Sequence, residues 1–191
     1  MQYANQLNQL GTETAFAVSA QAQAWAKKGH KVYPFHLGDI NLATPENIVE
    51  ATLKGIRDGK TGYCPSEGIL PLRESLAHDV GIKRGVTYGS DNVSVQPGGK
   101  PTIGKFIAAV MNPGDEVLFP NPGYPIYESQ IEYQGGRAMP YGYIQTDKGF
   151  DIDLDRLKAS ITDKTVAIIY NNYQNPLSAE SSKEEMEAIA Q

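Results

Sequence analysis

Two adjacent glycines, set between a short apolar stretch and an amphipathic run, are the residues with the clearest chemical promise. They lie in Val95-Gln96-Pro97-Gly98-Gly99-Lys100-Pro101-Thr102. Ile103, Phe106, Ile107, Val110 and Met111 follow at the spacing of a helix buried along one side. A glycine pair at such a turn lets the backbone approach a ligand closely. The start of the helix adds backbone N–H donors and a partial positive charge. The chemistry this combination suits is the holding of a phosphate. A tight strand-to-helix turn with no ligand is the alternative reading of the same residues. A nucleotide P-loop is excluded, because it needs glycine where Ser94 stands and Ser or Thr where Pro101 stands. No G-x-G-x-x-G occurs, which weakens a dinucleotide reading.

Two further loops carry groups that could serve a ligand. Tyr124 follows Asn121-Pro122-Gly123, and an amide-rich run extends from Asn171 to Leu177. Each comes after an apolar stretch that reads as a strand. In a parallel α/β sheet, loops at the carboxyl ends of strands line the ligand crevice. Glycine N–H donors, an aromatic face and an asparagine amide would then converge on one edge. Other candidates are weaker. Asp151, Asp153 and Asp155 alternate as in a calcium loop, but Arg156 and Thr162 occupy the positions that need glycine and glutamate. A polar strand end with a helix cap fits them better. His30, His36 and His78 show no metal-ligand spacing, and no metal site is expected. No Gly-x-Ser-x-Gly elbow or nucleophile triad is present.

The elements that must position these residues alternate along the chain. Residues 13–28 read as an alanine-rich helix stopped by Lys27-Lys28-Gly29. Residues 31–37 read as a strand or extended segment. Thr44 is the expected N-cap of the next helix, with Pro45 at its first position. A third helix covers about 70–83, and 92–95 is the expected strand leading into the glycine pair. After the helix over 101–111, strands are expected at 116–119, 137–141 and 166–170, with helices at about 125–133 and 155–159. The last strand, Val166-Ala167-Ile168-Ile169-Tyr170, has the character of one covered on both faces. Ser182 with Glu185 forms a capping box for a final helix. The alternation argues for an α/β fold with a largely parallel sheet. The apolar stripe begun by Met186 and Ile189 stops at Gln191, so a piece of a longer protein is expected.

Composition narrows the partners. The 191 residues carry a net charge of −5, which argues against a nucleic-acid partner. The single cysteine, Cys64, excludes an intramolecular disulfide. The longest apolar run, Phe106 to Met111, is too short to span a bilayer. The first residues lack the basic and apolar regions of a secretory signal. A cytoplasmic protein is expected.

In order and spacing, a series of short motifs resembles the N-terminal half of the pyridoxal-phosphate-dependent aminotransferases of fold type I, the class I and II group. The series is Leu37-Gly38-Asp39 with Thr44-Pro45, Tyr63 with Gly68 and Leu72-Arg73-Glu74, then Pro97-Gly98-Gly99-Lys100. It continues through Asn112-Pro113-Gly114-Asp115-Glu116-Val117, Pro120-Asn121-Pro122-Gly123-Tyr124 with Tyr127, and Asn175-Pro176. The resemblance implies a three-layer α-β-α cofactor domain, incomplete at its C-terminus, over 36–191, with a helical segment over 1–35. It implies that backbone N–H groups of Gly98, Gly99 and Lys100 cradle the phosphate of pyridoxal 5'-phosphate. Tyr124 would stack on the ring, and Asn175 would bond its phenolic oxygen. Tyr63 would reach a neighbour's cofactor phosphate across a homodimer interface, and Gly38 would sit beside the substrate carboxylate.

The implied activity moves an amino group between an amino acid and a 2-oxo acid. In this family the Schiff-base lysine, the aspartate at the ring nitrogen and the carboxylate-binding arginine all follow the Asn-Pro motif. The isolated chain is therefore expected to be inactive, with no catalytic residue of its own. Leu177-Ser178 stands where the family usually has Thr-Gly, so the loop path after Asn175 is open. A lyase or cyclising enzyme on the same fold, and a non-catalytic short partner subunit, are the alternative readings.

Overall fold

The computed structural model describes residues 2–11, 14–38, 40–147 and 149–191. Residue 13, where the first helix was expected to open, and Asp39 of the Leu37-Gly38-Asp39 match lie outside the described residues. The chain divides into two compact units, one of residues 1–21 with 99–191 and the other of residues 22–98.

The first unit is built on three parallel strands. β1 (Glu116–Pro120) lies between β2 (Arg137–Tyr141) and β5 (Thr165–Ile168). Glu116 pairs with Arg137 and Pro120 with Tyr141, while a register irregularity after Glu116 shifts the pairing to β5. Every residue of β1 is buried, as befits a central strand covered on both faces. Pro140 sits on β2, an edge strand where the missing N–H costs little. β3 (Tyr143–Thr146) and β4 (Gly149–Ile152) form a separate antiparallel hairpin.

Helices lie on both faces of the sheet. On one side α4 (Gly99–Val110) and α5 (Ile126–Tyr133) enclose Ile107, Met111, Val117, Phe119, Tyr127 and Ile131. α4 and α5 pack closely. A Cβ on Gly104 would lie 2.6 Å from Gln130 Oε1, and the Gln134 amide donates to the Gly104 carbonyl at 3.0 Å. On the other side Leu118, Tyr141, Ile152 and Leu157 form a second cluster with the hairpin, α6 (Leu154–Ala159) and α7 (Lys183–Ala190). This is the expected α-β-α layering. The Asp153 side chain caps α6 through the Arg156 N–H at 3.0 Å, and the Ser182–Glu185 capping box is present.

The second unit holds α2 (Glu46–Arg57) and α3 (Leu70–Arg84); α1 (Thr14–Ala26) runs into it from the first. Gly68, with φ +102°, passes beside Val95, whose Cβ would lie 2.9 Å from an added methyl group.

Four sequence expectations are corrected. Residues 92–95 are not a strand. Ser90–Asn92 is a 3-10 turn, and the Val95 N–H bonds the Glu67 carbonyl rather than a sheet neighbour. Residues 31–37 form no strand either. α2 begins at Glu46 with Pro45 in the cap position, and no side chain caps it, so Thr44 does not serve. β5, expected to be covered on both faces, is covered incompletely. Val166 and Ile168 remain exposed, while Ala167 packs into the first cluster.

Candidate functional site

β1 and β5 are parallel neighbours. The loops after them, carrying Tyr124 and Asn175, therefore leave the same edge of the sheet. Tyr124 is half-buried against the first cluster and meets Tyr127 edge-on, with ring centroids 5.7 Å apart at 88°. That T-shaped contact fixes one edge of the Tyr124 ring. Asn175 is exposed, and its N–H donates to Asn171 Oδ1 at 3.2 Å. The peptide bonds Asn121-Pro122 and Asn175-Pro176 are both cis.

α4 enters the same layer. Ile103 packs on the cluster that holds Tyr124, which puts the first turn of α4 on that side of the sheet. The first turn carries no acidic residue of its own, and it is the positive end of the helix dipole. A Cβ added at Gly99 would meet nothing within 4 Å. The backbone there is open to an approaching group. Gly98, just before it in the chain, has φ +107°, a conformation glycine adopts without strain. Of the three loops expected at one sheet edge, those of Tyr124 and Asn175 follow sheet strands, and the glycine turn does not.

The remaining candidates lie in the second unit. Gly38 is exposed, with no atom within 4 Å of an added Cβ, and Tyr63 is fully exposed. Among the described residues no group of three His, Cys, Asp or Glu side chains is placed to hold a metal.

The fit to pyridoxal 5'-phosphate rests on this donor set. Helix-terminal amides suit its phosphate, an anchored aromatic face suits its ring, and a carboxamide suits its phenolic oxygen. The buried phenols of Tyr127, Tyr141 and Tyr143 are weak acids and keep their protons. Burial pushes Tyr127 above the ordinary value. Burial, helped by the neighbouring Tyr143, raises Tyr141 further, and burial pushes Tyr143 up to about 12. The Tyr141 hydroxyl donates to the Ile169 carbonyl at 2.9 Å.

One residue beside the site went unread in the sequence. Gln174, 1 % exposed, lies between the two loops. Its Nε2 donates to the Pro122 carbonyl at 2.7 Å, and its Oε1 accepts the Leu177 N–H at 2.9 Å. The only signal available was a glutamine within the amide-rich run Asn171-Asn172-Tyr173-Gln174-Asn175, and nothing in that run marks which amide turns inward.

Comparison with known proteins accounts for nearly the whole chain. The family model for aminotransferase class I and II matches residues 31–191. A probable aspartate/prephenate aminotransferase of Aquifex aeolicus is 33% identical over 98% of this chain and 48% of its own length. The aspartate aminotransferase of Bacillus subtilis is 28% identical over the full chain and 48% of its own length. Among solved structures, an alanine aminotransferase from Pyrococcus furiosus superposes with a TM-score of 0.92 at 30% identity, covering 98% of this chain and 48% of that one. A Thermus thermophilus aspartate aminotransferase with maleate also gives 0.92, at 29% identity, covering 100% and 50%. The chain spans about half the length of the curated relatives it matches.

Proposed function

The chain belongs to the class I and II aminotransferase family, and from that premise we propose that it is a cofactor-holding part of a pyridoxal-phosphate-dependent aminotransferase. The complete protein moves an amino group between an amino acid and a 2-oxo acid. Pyridoxal 5'-phosphate supplies the electron sink for that chemistry when bound. The chain's own residues bind and orient it. The start of α4, at Gly99 and Lys100 with the Gly98 turn before it, receives the phosphate. Tyr124 covers the ring, and Asn175 donates to the phenolic oxygen. Gly38 beside the substrate carboxylate, and Tyr63 toward a neighbour's phosphate in a homodimer, belong to the same proposal. The compartment proposed is the cytoplasm. No helix among the described residues is long and apolar enough to cross a membrane.

The observation that carries the reading is the shared footing of Tyr124 and of Ile103, which follows the first turn of α4, on one apolar cluster. The relatives' names make aspartate the first amino donor to try. The 191-residue chain alone is expected to show no turnover.

Equilibrium dialysis of the chain with pyridoxal 5'-phosphate and with pyridoxal tests the proposal. The phosphorylated form should be retained at least tenfold better, and Y124L should weaken its retention by about tenfold. Equal retention of the two compounds, or no effect of Y124L, would overturn the reading.

A further inference from the structure

We propose that Gln174 is a positioning residue that sets the spacing between the aromatic face of Tyr124 and the carboxamide of Asn175. The proposal rests on the cofactor reading above and adds a residue to it. The Gln174 side chain links two segments 52 residues apart in sequence. It is held in a single orientation. Pro122 offers only a carbonyl there, and the Leu177 amide can only donate. One carboxamide satisfies both at once, and the residue is 1 % exposed, so water cannot substitute.

The geometry passes from Gln174 to each partner with little slack. On one side, Pro122 is two residues before Tyr124, and Gly123 between them closes so tightly that a Cβ would collide with the Pro120 carbonyl. A shift at Pro122 therefore moves the Tyr124 ring. On the other side, Gln174 adjoins Asn175 directly. Its own backbone is tied into the loop, its N–H donating to the Ala179 carbonyl at 3.0 Å and its carbonyl accepting the Ser178 N–H at 2.6 Å. Asn171 Oδ1 holds the Asn175 N–H. Both loops are thus tied by hydrogen bonds, and the Gln174 side chain joins one to the other. A carboxylate of the same shape would have no donor for Pro122, and a thioether of similar length would leave both partners unpaired.

The test uses the 191-residue chain loaded with pyridoxal 5'-phosphate and reads affinity together with the visible circular dichroism of the bound ring. That band reports how the ring is held against its surroundings. Q174M and Q174E should each weaken binding by about tenfold and flatten the band. L157A, which opens a cavity in the cluster on the far face of the sheet, should lower the melting temperature while leaving the band as in the unsubstituted chain. A Q174M chain with unchanged affinity and band overturns the role of Gln174 and leaves the cofactor reading standing. A band lost equally in L157A also overturns it, since the effect would then be general destabilisation. An unsubstituted chain that retains no cofactor overturns the cofactor reading and this role with it. Should the variants not fold, amide hydrogen exchange of the unsubstituted chain decides. The Leu177 amide should be protected, and exchange at the rate of an open peptide would overturn the proposal.

Discussion

Gly99 and Gly123 are both glycines beside the proposed cofactor, yet they are glycines for different reasons. Gly123 is closed in, with the Pro120 carbonyl where a methyl group would go, whereas Gly99 faces open space. G123A should therefore cost about 1–3 kcal/mol in urea unfolding and weaken cofactor retention by displacing Tyr124. G99A should leave stability within about 0.5 kcal/mol, because nothing lies in the way, and still impair retention by filling the space the phosphate needs. Equal effects of the two substitutions on stability would contradict this distinction. The helix that opens at Gly99 was readable in the sequence, but the strand expected before the glycine pair is absent. The different surroundings of Gly99 and Gly123 were not readable, since they depend on what the fold brings alongside.

At the scale of elements, Glu185 does double duty. Its Oε2 accepts the Ser182 N–H at 2.8 Å, while its Oε1 accepts the Ile152 N–H at 2.8 Å. One carboxylate thereby caps α7 and pins the end of β4. S182A removes only the cap and should cost about 1 kcal/mol. E185A removes the other arm of the capping box and the tie to the hairpin and should cost about 2 kcal/mol. Chemical denaturation compares them, and equal losses would mean that the tie to β4 adds nothing. The capping box itself was legible, as were β1, β2 and α3 to within a residue or two, because periodicity and end signals act locally. The strand expected at 92–95 failed for a different reason. An apolar alternation becomes a strand only beside a partner, and Val95 finds the Glu67 carbonyl instead. The exposure of Val166 and Ile168 on β5 likewise depends on what the fold packs over that face, which no local pattern states.

For the whole molecule, the two units differ in what holds them. The first contains two apolar clusters. In residues 22–98 the buried positions among the described residues are Gly68, Ala77 and Gly81, none with a large side chain. Ile48, Leu53 and Ile56 of α2 stay exposed, as do Phe35, Ile40, Leu42 and Tyr63. Apolar surface of this extent suits a contact face, and the homodimer proposed above would use it. Sedimentation equilibrium should show a mass that rises with concentration above the 20.8 kDa of one chain, and a constant single-chain mass would count against the dimer. The order β2-β1-β5 carries one more implication. The middle strand leaves the ribosome first, and each flanking strand arrives only after an intervening crossover. During synthesis β1 must wait, unpaired on one side or both, until residue 168 has emerged. Slow translation through residues 121–168 would prolong that interval and favour capture by chaperones or aggregation.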